Sequence, residues 1–350
     1  MTSPAATVGI IANPAAGKDI RRLISAASPT SDMAKIGIVR RAAIGAVEGG
    51  ATALVVADDR HALARRALDE VDLAYEVVEQ PLLSTGRDTQ RAAAAMAESG
   101  VAALVVLGGD GTHRDVAVGW RQAPMVTVST GTNNVFPRAL EATTAGEAAG
   151  LVAAGRVRLV DIARQAKVLE VRIERGAEAD GAVEHDLALV DVAHITSRFT
   201  GSRAVWKPSS IRSVVSAMAE PGSVGLAAIA AAVDPLGRHE PGAVVVDVAA
   251  DGEVAARTVR CPVAPGRYDD VALRGHRRLG CGEEVVWDGP GTLSFDGERD
   301  RMLGPADRAT IRVQADGPWV IDPAATLAAA TSNDDTTTNP TGAAQGVGGG

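Results

Sequence analysis

Short runs rich in Val, Ile and Leu, at residues 7–12, 36–40, 53–57, 74–78, 103–107 and 125–129, alternate with Ala- and Arg-rich segments of helical length. Runs that are apolar on both faces suit strands of a mostly parallel sheet covered by helices on both sides. The pattern predicts strands at those runs and helices over 19–27, 42–48, 61–70 and 88–98, with Asp88 or Thr89 capping the last. Aromatic residues make up only 3% of the chain, so the interior must be built from Ala, Val, Leu and Ile.

A further helix is expected over 139–153. Beyond it the texture changes to longer alternating runs at 158–174, 186–196, 243–248, 258–263, 284–287 and 310–314, separated by Gly, Asp and Pro. Period-two alternation between turn residues predicts antiparallel hairpins. The expected organisation is an α/β domain over 1–154, then a predominantly β domain over 155–330 with a helical insertion near 211–233. Residues 331–350, rich in Asn, Asp, Thr and Gly and without apolar periodicity, are expected to be a disordered tail.

The 35 Lys and Arg against 43 Asp and Glu give a net charge of −8. That excludes a broad nucleic-acid surface and leaves room for a local phosphate pocket. Cys261 and Cys281 are too few for a disulfide framework and have no neighbours at metal-ligand spacing, which fits a reducing cytoplasm. The N-terminus lacks the basic start and apolar stretch of a secretory signal. The longest apolar run, 224–233, is half the length of about 20 residues that a membrane span needs, and reads as a buried helix.

Leu107-Gly108-Gly109-Asp110-Gly111-Thr112 follows an apolar strand and precedes a helix. Glycines let the backbone approach a phosphate, and a helix N-terminus adds partial positive charge. Asp110 runs against that anion-friendly turn. A carboxylate beside phosphates is unfavourable unless it engages Mg2+ or the hydroxyl that attacks phosphorus. A Gly-Asp-Gly turn with structural duties only is the alternative. Residues 12–18 are not a Walker-type loop, because Ala12 stands at the first glycine position and Asp19 at the Ser/Thr position. Asn13 could still hydrogen-bond a nucleotide and Lys18 add positive charge, or the segment could be a plain strand-to-helix turn.

Asp191 interrupts the apolar run 187–192, where a charge needs a partner: a ribose, a metal, or an arginine such as Arg203. Asp296-Gly297-Glu298 follows the strand-like 291–295 and reads as a hairpin turn. Phe136 reads as packing rather than as a platform for adenine. Arg267, Arg274, Arg277 and Arg278, with His276, form either a solvated loop or a contact for a phosphorylated substrate.

In this order the motifs resemble the superfamily of NAD kinases, diacylglycerol and sphingosine kinases and 6-phosphofructokinases. Gly108 to Thr112 is similar to its Gly-Gly-Asp-Gly-Thr hallmark. Asn13-Pro14-Ala15-Ala16-Gly17-Lys18 resembles its Asn-Pro segment, Gly131-Thr132-Asn133-Asn134 its Gly-Thr-x-Asn turn, and Phe295-Asp296-Gly297-Glu298 the Asp-Gly-Glu element of the lipid-kinase branch. Within that superfamily, residues 9–14, 38–41, 131–137 and 199–206 resemble an ATP-NAD kinase-like (AcoX-like) family associated with acetoin catabolism.

The resemblance implies a Rossmann-like α/β domain followed by a β domain, as in NAD kinases and diacylglycerol kinases. It implies transfer of a phosphoryl group from ATP, with Mg2+, to an alcohol, first of all the 2′-hydroxyl of NAD to give NADP. Asp110 would then be catalytic. Asn13, Lys18, Gly108, Gly109, Gly111, Thr112, Thr132, Asn133 and Asn134 would bind nucleotide or phosphate, and Asp191 and Arg203 the acceptor. Asp296 and Glu298 would support the catalytic carboxylate or a metal. An ordinary Asp carboxyl, titrating at about 3.9, is a weak base at neutral pH, so Asp110 would act by positioning and late proton acceptance.

Where NAD kinases carry an Asn-Glu pair and a Thr-Gly-Ser-Thr-Ala-Tyr-like segment, this chain has Val190-Asp191 and Phe199-Thr200-Gly201-Ser202-Arg203-Ala204. Another small alcohol or a lipid is therefore the alternative acceptor, and a regulatory NAD- or ATP-binding protein the alternative class. A lipid acceptor predicts an apolar cleft near 211–233. Polyphosphate is the alternative donor, and a cytoplasmic homo-oligomer acting on small nucleotides is the form the superfamily implies.

Overall fold

The computed structural model describes residues 5–15, 30–69, 73–131, 134–176, 181–196, 208–297 and 299–337. The helix expected over 19–27 and the candidate residues Lys18, Thr132, Asn133, Arg203 and Glu298 lie outside them.

The chain begins with β1 (Thr7–Ala12), α1 (Asp32–Glu48), β2 (Ala53–Ala57), α2 (Leu63–Asp69), β3 (Glu76–Val78) and α3 (Gly86–Glu98). There follow β4 (Ala103–Gly108), α4 (Asp110–Gly119), β5 (Pro124–Ser129) and α5 (Ala142–Ala153). The five strands are parallel, in the order β3-β2-β1-β4-β5. Successive side chains of a strand point to opposite faces. Val8, Ile10, Val105 and Leu107 accordingly pack with α1, α2 and α5, while Ile11, Leu104 and Val106 pack with α3 and α4.

Residues 36–40, expected as a strand, belong to α1. The buried positions of α1 are Lys35, Ile36, Val39, Ala42, Ala43, Gly45 and Ala46, the three- and four-residue spacing of one helix face. Ser31 caps it, its side chain accepting from the Ala34 amide at 3.1 Å. The cap of α3 is Thr85 rather than Asp88 or Thr89. Asp88 folds back to accept from the amides of Leu83 and Ser84.

After α6 (Leu159–Ile162) and β6 (Ala163–Gln165) come β7 (Val168–Glu174), β8 (Val183–Ala188), β9 (Asp191–Ile195), β10 (Ile211–Ser216), α7 (Leu226–Ala231) and β11 (Ala243–Val248). The chain continues through β12 (Arg257–Ala264), β13 (Arg267–Leu279), β14 (Glu284–Asp288), β15 (Gly291–Phe295), β16 (Arg299–Leu303) and β17 (Arg308–Gln314). A seven-stranded antiparallel sheet, β12-β13-β11-β10-β9-β15-β16, faces a four-stranded one, β14-β17-β7-β8. Leu169, Val171, Val192, Val215, Val245, Phe295 and Ile311 form the core between them.

The run 186–196 breaks after β8, so that β8 and β9 enter different sheets. The insertion expected to be helical over 211–233 is strand β10 followed by the six-residue α7. Val215 faces the core between the sheets and Val214 the core under α7, so β10 is apolar on both sides without being a helix. Finally β18 (Trp319–Ile321) returns to the first sheet, parallel to β5 and antiparallel to β6, and α8 (Pro323–Thr337) packs beside α5. Helix α8 thus occupies the start of the range expected to be a disordered tail. None of the described helices is long and apolar enough to cross a membrane.

Helices α1 and α5 approach more closely than side chains allow. A Cβ on Gly146 would lie 1.9 Å from the carbonyl oxygen of Ala42, and one on Gly45 2.0 Å from that of Thr143. In a free helix Ala is better than Gly by about 1 kcal/mol. The close approach reverses the sign: Gly146→Ala should destabilise the protein by about 1–3 kcal/mol, as overpacking does. A lowered urea midpoint is expected, and an unchanged or raised one would show that the helices part freely.

Candidate functional site

The first sheet reverses its strand order between β1 and β4, since the chain leads outward from β1 to β2 and β3 and then crosses back to β4 and β5. Loops leaving the carboxyl ends of strands at such a point diverge and open a crevice. Here they are the loop from Asn13 after β1 and Gly108-Gly109 at the end of β4. Asn13 ties them together. Its amide donates to the Leu107 carbonyl at 3.1 Å, its side-chain nitrogen to Thr112 Oγ1 at 2.9 Å, and its side-chain oxygen accepts from the Ala15 amide at 2.8 Å.

Two further side chains brace this rim. Lys35, 1% exposed, donates from Nζ to the carbonyls of Asn13 at 3.3 Å and Pro14 at 2.6 Å. Thr30 Oγ1 donates to the Thr130 carbonyl at 2.7 Å. On the far wall, Asn134 donates to Ser129 Oγ at 2.8 Å.

Gly108 is required by a contact within the chain, and Gly109 leaves room for the Asn134 side chain. A Cβ on Gly108 would lie 2.4 Å from Thr112 Cβ, and one on Gly109 2.9 Å from Asn134 Oδ1. Gly109 is the cap of α4 and brings no side chain to its first turn, which holds Asp110, Gly111 and Thr112.

Asp110 is 7% exposed, and its carboxylate is aimed by main chain. Oδ1 accepts from the amides of Phe136 at 2.8 Å and Val135 at 3.0 Å, and Oδ2 from Val135 at 3.1 Å. Phe136 is packing, as expected: its ring lies 5.7 Å from that of His113. Burial pushes the His113 pKa down to about 4, so at neutral pH the ring is uncharged, with its Nδ1 2.8 Å from the Gly109 carbonyl.

One turn beyond Asp110, the buried Arg114 joins α4 to the antiparallel half. It donates to the Leu187 carbonyl, pairs with Asp186, and lies with Cζ 5.4 Å from the centre of the Phe295 ring. Asp186 also pairs with Arg301 at 3.0 Å.

Asp296 repeats the device of Asp110. Its carboxylate accepts from the amides of Val190 at 2.8 Å, Leu189 at 3.1 Å and Asp191 at 3.2 Å, and its own amide donates to the Asp191 carbonyl at 2.9 Å. With φ values of +49° and +68°, Asp296 and Gly297 form the expected turn between β15 and β16. Asp191, buried on β9, thus joins this contact through its main chain. The basic series lies on strand β13 rather than in a loop. Arg278 pairs with Asp234 at 2.6 Å and Arg267 with Asp269 at 2.9 Å.

Lys35 and Arg114 are site residues that the sequence reading passed over. Lys35 carried no signal, because residues 36–40 read as a strand and the buried stripe of α1 shows only in the fold; for Arg114 the signal was the four-residue offset from Asp110 along one helix face.

Residues 8–157 match the family model described as ATP-NAD kinase N-terminal domain, and residues 167–316 the one described as acetoin catabolism protein X C-terminal domain. Acetoin catabolism protein X from Cupriavidus necator is 36% identical over 333 residues, 92% of each chain. Yeast NADH kinase, solved in complex with NADH, superposes with a TM-score of 0.53 at 12% identity over 97% of this chain and 90% of that one. A diacylglycerol kinase from Bacillus anthracis gives a TM-score of 0.40 at 13% identity over 93% and 100%. The yeast likeness is one of fold: a parallel α/β domain followed by antiparallel sheets.

Burial pushes the Asp296 pKa up to about 6, against the opposing pull of Arg114 and the three amides. The folded state therefore holds the proton more tightly than the unfolded chain, and Asp296 withdraws stability as pH rises from about 4 to 6, on the order of 3 kcal/mol. Measured as urea midpoints, the stability of the wild type relative to Asp296→Asn should fall across that window. A difference that stays constant from pH 4 to pH 7 would contradict this.

Proposed function

Because the chain belongs to the acetoin catabolism protein X family and begins with an ATP-NAD kinase-type domain, we propose that it transfers the γ-phosphoryl group of ATP to an alcohol, with the 2′-hydroxyl of NAD as acceptor and NADP as product. The observation that carries this reading is the Asp110 carboxylate, held by two main-chain amides at the switch point of the parallel sheet. Phosphoryl transfer asks a protein chiefly for positioning and electrostatic stabilisation. A carboxylate whose direction is fixed before the substrates arrive meets that requirement.

In this reading the nucleotide phosphates lie against the N-terminus of α4, where the helix dipole favours negative charge. Asn13 and Thr112 line the approach. The acceptor hydroxyl hydrogen-bonds Asp110. As its oxygen bonds to the γ-phosphorus, the bond from phosphorus to the β–γ bridging oxygen breaks, ADP leaves, and the hydroxyl proton passes to Asp110. Among the described residues no three His, Cys, Asp or Glu side chains converge as a metal site. A Mg2+ entering with the ATP phosphates at the N-terminus of α4 would neutralise charge on their oxygens, with Asp110 the carboxylate at hand.

The apolar cleft that a lipid acceptor predicts near 211–233 finds no lining in the apolar side chains of β10 and α7. Val214 and Val215 of β10 and Leu226 and Ile229 of α7 are all buried in the cores of the antiparallel half, so this segment offers them to no acyl chain.

Purified protein with Mg2+-ATP and NAD should form NADP. Asp110→Asn should lower kcat by about a hundredfold or more, the usual share of a positioned acid–base group, and retain stabilisation by ATP in thermal melts. Parallel loss of binding and turnover would make Asp110 structural. No NADP from the wild type with either ATP or polyphosphate would remove NAD as the acceptor.

A further inference from the structure

The peptide unit between Val135 and Phe136 is held at both ends. Its N–H, on Phe136, donates to Asp110 Oδ1 at 2.8 Å, and its C=O, on Val135, accepts from Arg238 Nη2 at 3.3 Å. The next carbonyl, that of Phe136, accepts from Arg238 Nη1 at 3.1 Å. Arg238 is itself fixed by Glu220. Its Nε donates to Oε1 at 2.9 Å, its Nη2 to Oε2 at 2.5 Å, and its main-chain N–H to Oε1 at 3.2 Å. Both residues stand just past the reciprocal main-chain pair of Ala219 and Leu236, at 2.9 and 3.0 Å, which closes the base of the excursion carrying α7.

We propose that Arg238, backed by Glu220, is a positioning residue that aims the Asp110 carboxylate through the Val135–Phe136 peptide; the inference rests on the reading of Asp110 as the group that orients the acceptor. A planar peptide that rocks swings its N–H and C=O together, so pinning the oxygen pins the donor at the other end. A guanidinium on the oxygen also polarises the unit and strengthens the N–H that Asp110 receives. Among the described residues, Arg238 hydrogen-bonds neither the carboxylate nor the crevice residues after β1 and β4, and reaches Asp110 through this peptide and its neighbour. Displacement of a reacting group by 1 Å costs about a hundredfold in rate, so a loosened peptide would register in turnover before it registers in binding.

The test uses the full chain as wild type, Arg238→Met, Arg238→Lys, Asp110→Asn and the Arg238→Met/Asp110→Asn double variant. In NADP formation, Arg238→Met should lower kcat by about tenfold or more while the KM values for ATP and NAD stay within about twofold. Arg238→Lys, or guanidinium ion added to the Met variant, should restore part of the loss. A raised KM with kcat unchanged would overturn the proposal. Independently of any activity, the drop in urea midpoint caused by Arg238→Met should be smaller in the Asp110→Asn background than in the wild type. Additive drops would overturn the coupling even if NADP is made. Non-additive drops without NADP would uphold the coupling and sink the kinase reading alone. Should Arg238→Met not fold, Arg238→Lys serves in the same cycle.

Discussion

A carboxylate that accepts from consecutive main-chain amides binds two distant stretches of chain with one side chain, and the crevice depends on that contact at Asp110. The helix that Asp110 begins is thereby fixed to the loop after β5. Hydrogen bonds to a charged group contribute about 1.5–3 kcal/mol each, and removing the carboxylate would also strand two amides in a buried place. Asp296 ties the β15–β16 turn to the corner between β8 and β9 by the same means, with three amides. Helix α4 is the member the two contacts share, since Arg114 runs from it to Asp186 and Leu187 at the end of β8.

Among the described residues, α4 and the loop after β5 therefore join the two halves of the chain. Ala117 and Phe136 pack with Leu187, Leu189, Val190, Met218 and Ala227 in one apolar cluster. Arg114, paired with Asp186, and Arg238, paired with Glu220, each donate to a main-chain carbonyl of that cluster, at Leu187 and Phe136. A buried ion pair is weak ground for stability, because desolvation offsets its attraction. What such pairs supply here is direction, with each cation placed where it also meets a main-chain carbonyl.

The parallel strands were legible because both faces are buried, which leaves uninterrupted apolar runs at β1, β2, β4 and β5. The same rule misled at residues 36–40, where Ile36-Gly37-Ile38-Val39 is apolar without a break although only one face of α1 is buried. It misled again at β10, where apolar residues serve two cores at once. The Gly-Gly-Asp-Gly-Thr loop and the Asp-Gly turn could be found from residue types alone. Their partners could not, because a carboxylate that selects main-chain amides leaves no mark on the identity of the residues selected. Lys35 and Arg238, which donate to carbonyls, were hidden for the same reason.

The return of β18 to the first sheet has a consequence for synthesis. On the ribosome, β5 emerges long before Trp319–Ile321 can lie beside it, so the nascent parallel sheet carries an open edge while both antiparallel sheets are being translated. Helix α5 likewise waits for α8. Strand β18 and helix α8 act as a latch that a vectorially growing chain closes only after both antiparallel sheets have been made, and any truncation before them would leave a sheet edge ready to pair with another molecule.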